Sequence, residues 1–117
     1  MRFEQFGLGA TWNVEYGTAD DPEQLGWLLS YSPYHAALRS ADYPAVLFTV
    51  FDGDTRVDPM HARKMCAALQ HSTTSTRPVL VRREADVGHG ARAVTRSIEL
   101  STDALGFTAA WTGLDLP

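Results

Sequence analysis

A single cysteine, Cys66, stands in the chain, so no internal disulfide can form and packing and hydrogen bonds must hold the fold. No apolar run approaches the roughly 20 residues needed to cross a bilayer. Met1 to Phe6 lack the apolar core of a secretion signal. Positive charge is not in excess. Ten Lys and Arg face 14 Asp and Glu, and the net charge of -4 argues against nucleic acid and anionic membrane as partners. There is no internal repeat and no low-complexity tract. What remains is a 117-residue chain, 44% hydrophobic and 21% charged, the size and composition of one globular domain.

The most informative stretch runs from Tyr43 to Pro59. Pro44 to Phe51 is almost wholly apolar, which suits a strand buried on both faces in a parallel sheet. Asp52-Gly53-Asp54 ends it with turn chemistry. A helical pattern then spans about Pro59 to Gln70, with Met65, Ala68 and Leu69 on one face and His61, Arg63 and Lys64 on the wet side. Cys66 in that pattern reads as a small buried hydrophobe.

Upstream, residues 1 to 18 carry Gly7, Gly9 and Gly17 among Phe3, Phe6, Trp12 and Tyr16. Such rings either line a pocket or pack on the core. Thr18 to Asp21, with Pro22 behind them, read as a helix start, and Ser32-Pro33 as its end. Residues 34 to 43 are a connection, with His35 structural or exposed. Downstream, Arg77 to Glu84 contain a second strand, Val79-Leu80-Val81. A last helix runs from about Ala93 to Trp111, with Val94, Ile98, Leu105 and Ala109 inward. Strands alternating with helices of this length indicate an α/β fold with a parallel sheet.

Two adjacent parallel strands put Asp54 and His89 at one sheet edge, where open α/β sheets meet their ligands. His89 lies between Gly88 and Gly90, which leave an imidazole free to project. A carboxylate on one ring nitrogen fixes the tautomer and leaves the other as a base. An acid and then a histidine, each after a strand, is the order found in α/β-hydrolases. A turn histidine with purely structural duty, and acids that merely cap the next helix, explain the same residues.

Five segments together resemble the prolyl oligopeptidase family: Trp12 to Gly17, Tyr31 to His35, Tyr43-Pro44-Ala45, Asp52 to Lys64, and Gly88-His89-Gly90. The resemblance covers about Arg2 to Leu114. It implies the C-terminal portion of an α/β-hydrolase fold, with alternating helices and at least two parallel strands. By position it makes Asp54 the triad aspartate and His89 the general base. Arg56 becomes the binder of a substrate carbonyl, Val57 an apolar wall of the proline pocket, Trp12 the ring stacked on the substrate proline, and Tyr16 a further lining residue. No cofactor or metal is expected.

The nucleophile elbow Gly-x-Ser-x-Gly does not occur in this chain. Ser30, Ser97 and Ser101 fall in predicted helices. The expectation is therefore that residues 1–117 form a C-terminal fragment of a prolyl oligopeptidase-type serine peptidase that acts on short proline-containing peptides. The chain would be inactive alone and would lack an N-terminal part with the serine elbow and a β-propeller. A non-catalytic association module and one half of a split enzyme are the rival readings, and self-association through an open sheet edge is expected. The compartment stays open, the cytoplasm slightly favoured.

Overall fold

In the computed structural model, residues 1–89 and 92–114 are described. Single turns of 3-10 helix at Phe3–Gln5 and Gly9–Trp12 lead into α1 (Asn13–Tyr16). Then follow α2 (Pro22–Ser30), α3 (Pro33–Ala36), β1 (Val46–Gly53), α4 (Met60–Ser72), β2 (Val79–Gly88) and α5 (Val94–Thr112).

The helix starts follow local chemistry. Asp21 caps α2, its Oδ1 accepting from the N–H of Glu23 at 2.9 Å and of Gln24 at 3.0 Å. Pro22 takes the first helical position, where no amide proton is needed. Asp58 Oδ1 likewise accepts from Met60 N–H at 2.8 Å at the start of α4. Ser32-Pro33 ends α2 as expected but also opens α3, with Pro33 again in the first turn, so the segment read as a connection holds one helical turn.

β1 and β2 are hydrogen-bonded neighbours in a parallel, two-stranded sheet with α4 as the crossover. The register runs evenly from Val46 opposite Val79 to Phe51 opposite Glu84, then slips before Gly53 meets Gly88. A Cβ at Gly53 would stand 3.0 Å from the Val87 carbonyl oxygen, so the strands approach closely there. β2 is longer than its apolar centre suggests, because its charged second half is held by ion pairs. Arg82 Nε meets Asp103 of α5 at 2.6 Å, and Arg82 Nη1 meets Glu84 at 3.1 Å.

Ala37, Cys66, Leu69 and Val79 form the core, flanked by Tyr43, Val46, Phe48 and Met65. Burial raises the Cys66 thiol above its ordinary pKa, as suits a packing residue. Two expectations differ. Only Val50 of β1 is buried, Thr49 and Gly53 are exposed and the rest are half-covered, because α4 is the helix that packs on this sheet. In α5, Ala109 is buried, but Val94, Ile98 and Leu105 are 75%, 60% and 69% exposed. The helix meets β2 through polar contacts, namely Arg82 with Asp103 and Arg96 with the Ala85 carbonyl, while Val94, Ile98 and Leu105 face outward.

Candidate active site

The carboxyl end of the sheet is built from the turn after β1 and the residue after β2. Asp54 Oδ1 accepts from the N–H of Arg56 at 2.9 Å and of Val57 at 3.0 Å, folding the turn back on its own carboxylate. Its other oxygen, Oδ2, lies 2.9 Å from Nδ1 of His89. An ionised carboxylate can only accept, so Nδ1 carries the proton and Nε2 keeps its lone pair. The carboxylate is 10% exposed and the imidazole 42%, so the acid is sheltered while the ring reaches solvent. Burial pushes the Asp54 carboxyl up. The Val57 N–H, the His89 ring and the Arg56 N–H outweigh it and hold the acid below its ordinary value of 3.8.

A second carboxylate braces this edge. Asp52 accepts from Nε of Arg83 at 2.6 Å and from Nη2 of Arg63 at 2.8 Å, joining β2 and α4 beside the Asp54 turn. The Arg83 bond chiefly holds the Asp52 carboxyl below its ordinary value. Beyond His89, the Arg92 guanidinium sits 4.3 Å from the centre of the Phe51 ring, a cation–π contact that returns the chain to β1. Sequence reasoning placed Arg63 on the wet side and did not find these braces. Their signal was the placement of Asp52 and Arg83 near the ends of neighbouring strands.

The remaining candidates fall into two sets. Arg56 and Val57 supply backbone to Asp54, while their side chains are exposed. Trp12 and Tyr16 stack on each other, centroids 5.8 Å apart and planes 27° apart, and each is nearly half exposed. The two sets are joined by the N-terminal segment. Gly7, at φ 53, lies so close to the turn that a Cβ would be 3.1 Å from the Arg56 carbonyl oxygen. Two cavities among the described residues lie apart from Asp54 and His89, and Tyr16 borders the smaller of the two. Among the described residues, no three His, Cys, Asp or Glu side chains gather as a metal site. Gly90, one of the glycines flanking His89 in the sequence, lies outside the described residues.

The model of the prolyl oligopeptidase family matches residues 1–115. The chain belongs to this family. A prolyl endopeptidase of Elizabethkingia miricola is 38% identical over 109 residues, covering 92% of this chain and 16% of its own length. The prolyl oligopeptidase ophP of Omphalotus olearius is 38% identical over 120 residues, covering 99% of this chain and again 16% of its own. Among solved structures, a prolyl endopeptidase studied for inter-domain dynamics superposes with a TM-score of 0.92 at 44% identity, over 97% of this chain and 17% of that one. Prolyl oligopeptidase B of Galerina marginata, bound to a 35mer hydrolysis and macrocyclization substrate, gives 0.90 at 32% identity, over 99% and 16%. The fold is thus part of the α/β-hydrolase domain of prolyl oligopeptidases, and the chain spans about a sixth of the length of these relatives.

Proposed function

We propose that this chain supplies the acid, the base and part of the specificity pocket of a serine peptidase that cleaves short peptides after proline. The nucleophile comes from polypeptide other than residues 1–117. The observation that carries this reading is the His89–Asp54 contact, with the second Asp54 oxygen tied down by two backbone N–H groups. In this arrangement Asp54 holds the imidazole, and Nε2 of His89 takes the serine hydroxyl proton as the oxygen attacks the peptide carbonyl. The same nitrogen then returns the proton to the leaving amine. Arg56, whose guanidinium has no ion-pair partner among the described residues, orients a substrate carbonyl. Trp12, Tyr16 and Val57 offer apolar surface to a proline ring.

Partnership with further polypeptide is supported by shape. The radius of gyration is 16.7 Å, against about 13 Å expected for a closed domain of this length. The accessible surface is 7975 Å², against about 6,300 Å² for a globular protein of this mass. Both strands have a free edge among the described residues, a template for association.

The test is activity with and without a supplied nucleophile. Alone, the chain is expected to cleave no proline-containing chromogenic peptide and to take no fluorophosphonate label. Co-expressed with a polypeptide that carries Gly-x-Ser-x-Gly and the rest of the sheet, it is expected to do both. Stoichiometric labelling of a serine in the isolated chain would overturn the reading. A reconstituted complex with no activity would favour a non-catalytic association module.

A further inference from the structure

A cavity of about 650 Å³ lies away from the Asp54–His89 edge, between the N-terminal segment, α3 and α4. That volume falls within the range of small-molecule sites, roughly 300–1,000 Å³. Its apolar wall is made by Phe3, Phe6, Tyr34, Met60 and Met65. Its basic side chains are Arg2, His35, His61 and Lys64, in a chain whose net charge is -4. No carboxylate lines it.

These groups are arranged rather than scattered. The Lys64 ammonium stands 4.8 Å from the centre of the Tyr34 ring. His61 sits edge-on to Phe6 at 5.7 Å, and His35 Nδ1 is 2.7 Å from the Ser32 hydroxyl. Neither Arg2 nor Lys64 has an ion-pair partner among the described residues. A concave, apolar-walled site whose cations lack counter-charge concentrates anions, and low-dielectric walls strengthen that field. Flat rings and soft methionines favour an aromatic body.

We propose that this cavity binds a small aromatic carboxylate, its acid group on Lys64 and Arg2 and its ring between Phe6, Tyr34 and the methionines. The site is separate from the peptidase reading and stands or falls independently of it.

The three methionines of the chain, Met1, Met60 and Met65, all line the cavity. Met1 also borders the smaller cavity, so in carbon-13 methyl labelling of methionine the Met60 and Met65 signals are the ones that report on this site. The chain is titrated with naphthalene-2-carboxylate and with the neutral naphthalene-2-carboxamide. The carboxylate is expected to shift the Met60 and Met65 methyls and to bind roughly tenfold more tightly than the amide. Lys64 is exposed, so its replacement leaves the fold intact. Lys64→Gln is expected to bring the two probes within about twofold of each other, and Lys64→Arg to keep most of the preference. Equal affinities in the parent chain, a preference that survives Lys64→Gln, or unmoved methyls with both probes would each overturn the assignment.

Discussion

The carboxyl end of the sheet and helix α5 are held by opposite means. At the sheet end, Asp52, Asp54, Arg63, Arg83 and His89 come from three elements and bind one another through short polar contacts. Nearly every partner that the geometry asks for lies within the chain. Helix α5 spans 19 residues, yet Val94, Ile98 and Leu105 turn outward, and its ties to the sheet are polar. The first region is specified by residues close in space, each held by at least one polar bond to another of them. The second carries an apolar stripe whose cover does not come from the described residues. A polar site can thus be preorganised on a scaffold whose hydrophobic burial is unfinished.

The largest expected effect lies at the sheet end. In the reconstituted complex, His89→Ala should lower kcat by about four orders of magnitude or more while KM changes little. Steady-state kinetics on a proline-containing peptide checks this, and turnover within tenfold of the parent would remove His89 from the mechanism. Next comes the small core shared by α4 and β2. Leu69 is 5% exposed, and Leu69→Ala should cost about 2–5 kcal/mol in a urea titration. That is a large share of the roughly 5–15 kcal/mol of a typical domain.

A smaller effect is acid sensitivity. The carboxyls of Asp52 and Asp54 both lie below the ordinary 3.8 in the folded chain, so the unfolded chain protonates first as pH falls. Their stabilisation is complete above the ordinary value and is lost as pH falls through it toward the lower folded values. Urea midpoints measured from about pH 6 down to about pH 3 should fall, and Asp54→Asn should make the slope shallower. The smallest effect on the folded monomer is expected in α5, where Ile98→Ser should change stability by no more than about 0.5 kcal/mol. The same change should reduce self-association in concentration-dependent size-exclusion chromatography. A large loss of monomer stability would mean that the stripe on α5 is covered within the chain, and the contrast between the two regions would collapse.

Much of the fold could be read from the sequence because its signals are local. Asp21-Pro22 and Asp58-Pro59 start helices by capping chemistry that needs no distant partner. The apolar run from Pro44 to Phe51 marks a strand, which forms as Val46–Gly53, but does not show how much of it this chain covers. The periodicity of α5 showed which residues share a face, but not what that face meets, so Val94, Ile98 and Leu105 were placed inward. β2 was cut short because Arg82, Arg83 and Glu84 look like a solvated run until Asp103 and Asp52 are brought beside them. The edge shared by Asp54 and His89 followed from strand order alone. The basic cavity did not, since it joins residues from three separate segments.

The slip in the sheet register sets the reach of one residue against another. Along most of the pairing a β1 residue faces the β2 residue 33 positions later, and after the slip the separation is 35. With an unbroken ladder Asp54 would stand opposite Val87, and His89 would lie two residues, or about 7 Å, further along. No hydrogen bond spans that gap. The two surplus residues in β2 act as a vernier that draws the imidazole level with the acid, so the spacing between Glu84 and Gly88 measures out the site as firmly as the identities of Asp54 and His89 do.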